Sequence, residues 1–141
     1  MKVLLIDDNP AERKKAVEAA QAKGWEVVVC DSSSRYWINA VDNVDGVVTD
    51  LMWDYSEHGK KPMGLMVVIH ALYKGKPVVI CTDAVEGGPE GHHSEAISFI
   101  FDGYLNATRA WCYGDCKLPF GWEEGKDWTK AMEKLAKQME P

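Results

Sequence analysis

Positive charge is scarce in this chain: 16 Lys and Arg stand against 22 Asp and Glu, for a formal net charge of −6 at pH 7. The basic residues are scattered, and their densest group is Arg13-Lys14-Lys15. That pattern lacks the clustered cations that displace counterions from a phosphate backbone, so no nucleic-acid partner is expected. Long hydrophobic runs are also missing. No stretch approaches the roughly 18 apolar residues of a membrane span. The apolar run at the start, Val3 to Ile6, stops at two aspartates and so does not read as a signal peptide. Neither a membrane partner nor export is expected, which leaves a cytoplasmic location as the expectation. Cysteine is sparse as well. Cys30, Cys81, Cys112 and Cys116 are expected to be free thiols in a reducing compartment, with Cys30 and Cys81 as small core residues of strands. There is no internal repeat and no low-complexity segment.

What the chain does have is an alternation of strand and helix signals along 141 residues, a length that fits one domain spanning 1–141. Its 46% apolar and 27% charged residues are ordinary for a globular protein. Val3 to Ile6 reads as a strand, and Asn9-Pro10 opens a helix that stops at Gly24. Trp25 to Cys30 is a second strand, and Ser32-Ser33-Ser34 offers caps for a helix reaching about Asn43. Val44 to Asp50 forms a third strand, Gly64 to Tyr73 a third helix and Val78 to Cys81 a fourth strand. Glu90 to about Leu105 has helical apolar spacing, and Asp127 to Met139 is a terminal amphipathic helix. The fifth strand has two candidate positions, Gly103 to Ala107 or Arg109 to Tyr113. Longer loops are expected at about 53–62 and 112–126. The βαβα order implies a five-stranded, doubly wound parallel sheet with helices on both faces, an α/β fold.

The chemistry concentrates at strand ends. Lys2-Val3-Leu4-Leu5-Ile6 runs into Asp7-Asp8, and Gly46-Val47-Val48-Thr49 runs into Asp50. Ligands of open α/β sheets bind at the carboxyl edge of the strands. Three carboxylates gathered there call for a cation, and a carboxylate beside a cation can accept a phosphoryl group. A plainer reading is that Asp7 and Asp8 only cap the first helix, where the dipole favours acids. That reading leaves Asp50 idle.

The ordered set of Asp7-Asp8, Asp50-Leu51-Met52 and Thr82 resembles the receiver domain of two-component response regulators, which has a flavodoxin-like fold. Asp50 lies 42 residues after Asp8, and Thr82 lies 32 after Asp50. Met63-Gly64-Leu65 resembles the segment that opens the family's third helix. The resemblance covers residues 1 to about 84 well and the remainder loosely. It implies that Asp50 is the phosphoacceptor and that Asp7, Asp8, Asp50 and the Met52 carbonyl hold Mg²⁺. It also implies that Thr82 binds the phosphoryl group as a switch. Mg²⁺ takes a few hard oxygen ligands and would neutralise the repulsion among the acids. The implied partners are a histidine kinase or phosphotransfer protein and a downstream protein target. With a single helix after the fold, no DNA-binding output domain is expected.

Two departures stand out. The family places a Lys-Pro after its fifth strand. Simple alignment puts Ala107 there, while Lys117-Leu118-Pro119-Phe120 offers Lys117 as the phosphoryl-binding lysine. A chain without that lysine would be a degenerate receiver, acting as an unphosphorylated interaction module. Trp53 stands where the family usually has proline, and either covers the site or packs locally. A small Mg²⁺-dependent phosphohydrolase is a further option, though Asp7-Asp8-Asn9 does not fit the Asp-x-Asp start of that chemistry. His92, His93, Cys112 and Cys116 do not frame a zinc quartet, and His58 and His70 read as structural. Trp111, Trp122 and Trp128 are expected to form a satellite core around the 112–126 loop.

Overall fold

A computed structural model describes residues 1–30, 36–51, 53–54, 60–61, 63–83, 120–123 and 125–140. Short β-branched and aliphatic runs form β1 (Lys2–Ile6), β2 (Glu26–Cys30) and β3 (Gly46–Thr49). A two-residue antiparallel pair follows, β4 (Trp53–Asp54) with β5 (Lys60–Lys61), then β6 (Val78–Cys81) and β7 (Gly121–Glu123). The helices among the described residues are α1 (Pro10–Gln21), α2 (Tyr36–Asp42), α3 (Gly64–Tyr73) and α4 (Trp128–Met139). The main sheet has five parallel strands in the order β2-β1-β3-β6-β7. The expected doubly wound α/β fold is therefore present.

Successive residues of a strand point to opposite faces, and both faces of β1, β3 and β6 are apolar. Leu4, Ile6, Val47, Val78 and Ile80 pack with Trp37, Val41, Val67, Val68 and Ala71 of α2 and α3. Val3, Leu5, Val48, Val79 and Cys81 pack with Ala16 and Ala20 of α1 and with Trp128, Ala131, Met132 and Leu135 of α4. Fully covered faces explain why these strands read as continuous apolar runs instead of alternating ones. Cys30 and Cys81 are buried free thiols, as expected, and burial pushes the Cys81 thiol well above its ordinary range.

Several expectations need correction. The strand that pairs with β6 as the fifth of the sheet is Gly121–Glu123, whereas the expected positions Gly103 to Ala107 and Arg109 to Tyr113 lie outside the described residues. A Gly-Trp-Glu triplet has no aliphatic run to announce it, and its strand character comes from pairing with Val79, Ile80 and Cys81 of β6. The 112–126 segment is accordingly not all loop. Trp122 packs against the α2–α3 core and Trp128 within the α1–α4 core, so these two join the main cores and form no satellite. Trp111, the expected helix over residues 90–105, and His58, His92, His93, Cys112 and Cys116 lie outside the described residues. His70 is structural as expected, with Nε2 3.3 Å from the Ile38 carbonyl and its ring edge-on to Trp37.

Candidate functional site

The strand order reverses between the parallel neighbours β1 and β3: β2 is added on one side of them and β6 and β7 on the other. Ile6 pairs with Thr49 across the two strands, and the Asp50 N–H donates to the Ile6 carbonyl at 2.8 Å. This register carries Asp7 and Asp50 to the same edge, one residue beyond each strand. Carboxylate oxygens of Asp7, Asp8 and Asp50 all lie within 4.8 Å of one another. Asp7 and Asp50 are buried, at 1% and 4% exposure, and Asp8 is half-buried.

Helix capping does not account for the pair Asp7-Asp8. The α1 cap is Asn9, whose Oδ1 accepts from the backbone of Ala11 at 2.9 Å and Glu12 at 3.4 Å. Asp7 is instead fixed through both its side chain and its backbone. Its Oδ1 accepts the Asn9 N–H at 2.8 Å, and its carbonyl accepts the Arg13 Nη1 of α1 at 2.9 Å.

Asp50 is held as firmly. Its Oδ1 accepts the Leu51 N–H at 2.8 Å, and its carbonyl accepts both the Thr49 hydroxyl and the Trp53 indole N–H at 2.9 Å. Trp53 is therefore a buried packing residue that braces the Asp50 backbone, its ring edge-on to Trp37 at 6.4 Å. It does not lie over the site as a cover. Trp53→Phe, which keeps an aromatic ring but deletes the donor and leaves a cavity in the core, is expected to cost about 2–4 kcal/mol in denaturant unfolding.

The cation that the sequence did not reveal is Lys126, three residues beyond Glu123 at the end of β7. Its ammonium bonds to Asp7 Oδ2 and lies 3.1 Å from Asp50 Oδ1. Glu123 holds the approach to it, accepting the Gly125 N–H at 3.1 Å and the Lys134 ammonium at 3.0 Å. Lys126 itself has φ +52°, a left-handed backbone that side chains other than glycine adopt at a cost of about 1–3 kcal/mol. A lysine kept in that conformation is held there by the acids it meets. The signal that would have found it is Lys126-Asp127-Trp128 at the opening of the last helix, where Asp127 is the N-cap and accepts from Lys130 at 3.0 Å. Counting forward from Thr82 misses it. Lys117 and Met52 lie outside the described residues. Thr82 is fully buried just past β6, and its N–H donates to the Glu123 carbonyl at 2.8 Å.

Among the described residues the Lys126 ammonium lies between Asp7 and Asp50, with Asp8 beside them, and the electrostatics follow from that arrangement. Burial pushes the Asp50 carboxyl up to about 7, with Lys126 pulling down and Asp7 and Asp8 pushing further up. Burial also raises Asp7 against the pull of Lys126. Lys126 is raised too, because Asp50 and Asp7 outweigh the burial that would lower it. The two directions are compatible, since the lysine gains from both acids while each acid receives only part of one charge. A divalent cation fits this donor set. Three carboxylates, one ammonium and one divalent ion sum to zero charge, and the ligands are the hard oxygens that Mg²⁺ prefers.

No protein-family model matches the chain, and no characterised protein matches it by sequence. Among solved structures it is similar to the chemotaxis response regulator CheY4 of Vibrio cholerae, with a TM-score of 0.55, 19% identity and 98% of each chain covered. A response regulator protein from Burkholderia multivorans gives 0.53 and 21% identity, covering 99% of this chain and 95% of that one. A de novo designed Rossmann 2x3 protein gives 0.55 at 13% identity, covering 98% and 90%. A designed chain on the same architecture underlines that fold alone assigns no chemistry. The chain has a receiver-like fold with an acidic cluster at the carboxyl edge of its sheet.

Proposed function

We propose that this chain is a phosphoacceptor protein of a two-component phosphorelay, taking a phosphoryl group on Asp50 with Mg²⁺ and signalling through protein contacts. The observation that carries this reading is the meeting of Asp7, Asp8, Asp50 and Lys126 at one point, from three separate strand ends. Lys126 also removes the feature that favoured a degenerate module, the apparent lack of a lysine.

Asp7, Asp8 and Asp50 would hold the ion, with the Met52 carbonyl as a further ligand. When bound, Mg²⁺ supplies positive charge that offsets the charge on phosphoryl oxygens. Asp50 Oδ1 is engaged by Leu51 and Lys126, so we assign Oδ2 as the nucleophile. Oδ2 forms a bond to phosphorus while the bond to the donor group breaks, and the leaving group departs with that electron pair. The product is an acyl phosphate, later cleaved by water. The Lys126 ammonium then pairs with a phosphoryl oxygen, and the Thr82 hydroxyl donates to another. The donor would be a histidine kinase or phosphotransfer protein, and a downstream protein would read the change.

Isothermal calorimetry tests this with Mg²⁺ and with beryllofluoride, a phosphoryl mimic. The expected result is one Mg²⁺ site, beryllofluoride binding that requires Mg²⁺, and loss of the latter in Asp50→Asn. Mg²⁺ binding without beryllofluoride binding would instead assign the degenerate interaction module.

A further inference from the structure

Lys126 has a third neighbour besides the two acids. Its ammonium lies 5.2 Å from the centre of the Trp128 ring, within the range of a cation–π contact. Trp128 is buried at the first residue of α4, at 3% exposure, and its indole N–H donates to Glu12 Oε2 at 2.7 Å. Glu12 sits in the first turn of α1, and its other oxygen is 3.3 Å from the Lys15 ammonium. The ring is thus fixed at its edge by α1 and at its base by α4. Core packing by itself would ask only for an apolar side chain at position 128. It does not explain a buried indole aimed at a carboxylate 116 residues away, with its face beside the one ammonium found at the acidic cluster among the described residues.

We propose that Trp128, locked by Glu12, is the positioning residue of Lys126, and that together they set how its ammonium is shared between the acids and a phosphoryl group. A ring face attracts a cation without the strict direction of a hydrogen bond. The ammonium can therefore swing from Asp7 and Asp50 toward new oxygens while keeping one partner. Glu12 acts chiefly through the ring, its direct charge interaction with Lys126 being the weakest of its contacts, and the ring acts on the site through Lys126. The part concerning the phosphoryl group rests on the function proposed above, whereas the positioning of Lys126 does not.

The test has two arms. In the metal-free protein, NMR should find the Lys126 Cε protons shifted upfield of the other lysines by the Trp128 ring current. That shift should persist in Glu12→Gln, which keeps an acceptor, and collapse in Glu12→Ala. Its absence from the wild type, or its survival in Glu12→Ala, would overturn the positioning. In the second arm, Glu12→Ala and Trp128→Phe should each weaken beryllofluoride binding in Mg²⁺ by about three- to five-fold, the scale of one cation–π contact. Glu12→Gln should retain the wild-type affinity. In a Lys126→Met background neither change should weaken binding further, because nothing is left to position. An equal loss in that background would assign a general structural role and overturn the proposal. Absence of beryllofluoride binding in the wild type, with the ring-current shift behaving as stated, would sink the phosphoacceptor reading and leave the positioning intact.

Discussion

Lys126→Met is expected to destabilise the metal-free protein by about 3 kcal/mol near neutral pH, the scale of leaving a buried charge without its partner. Methionine keeps an unbranched stem of similar packing, so the change isolates the ammonium. It leaves the Asp7 and Asp50 carboxylates, both almost fully buried, without the ion-pair partner they share. A loss of that size is a large share of the roughly 5–15 kcal/mol that holds a domain of this kind together. Saturating Mg²⁺ should restore most of it, because an ion that binds only the folded state stabilises it by mass action. Urea unfolding in chelator and in Mg²⁺ measures both numbers. A variant as stable as the wild type in chelator would show that the ammonium does not compensate the acids.

The same site sets a pH dependence with a definite sign. The folded-state values of Asp50 and Asp7 lie above their ordinary carboxylate value, so the folded protein binds more protons than the unfolded one. Their contribution to stability is complete below the unfolded value near 3.8 and is lost as pH rises through about 7 for Asp50. Glu12 runs the other way. Its value is lowered by the Trp128 and Lys15 contacts, which outweigh its burial, so its contribution is lost as pH falls. Comparing Lys126→Met with the wild type cancels distant groups and most of Glu12, whose interaction with the Lys126 charge is its smallest. The gap between the two curves should widen from acid to neutral pH and close in Mg²⁺.

Gly64→Ala is the second large effect, and it arises from crowding. A Cβ at Gly64 would sit 2.2 Å from the Asp50 carbonyl oxygen and 2.8 Å from Leu51 Cα. Both are backbone atoms, so no rotamer change can relieve the contact. The α3 start approaches this closely because the Gly64 N–H donates to the Leu51 carbonyl at 2.9 Å. Overpacking of this kind costs about 1–3 kcal/mol and occasionally more, and a clash between two backbones belongs at the upper end. Relief comes from separating the α3 start from the Asp50–Leu51 backbone, and because that backbone carries a site acid, Mg²⁺ affinity should fall along with stability. Gly24→Ala serves as the control. Gly24 has φ +75° with nothing within 4 Å of a built Cβ, so it should cost about 1 kcal/mol through backbone conformation alone. Mg²⁺ binding should be unchanged in that control and weakened in Gly64→Ala. Equal Mg²⁺ affinity in both variants would show that α3 does not set the Asp50 position.

The sequence by itself determined the interior of the sheet and the acids at its edge. The β1, β3 and β6 runs are apolar on both faces and end in carboxylates or Thr82, so their position and polarity are written locally. The span of α3 was legible for a similar reason, with Gly64 opening it and Lys74-Gly75 closing it, Gly75 having φ +69°. Only the tertiary structure decided the far edge. Gly121-Trp122-Glu123 becomes a strand because β6 offers a ladder to it, and pairing of that kind leaves no periodic trace in three residues. The same holds for Lys126, which reaches an aspartate 119 residues earlier in the chain. Its role is set by which charges surround it once burial has removed water, and spacing along the chain carries no record of that.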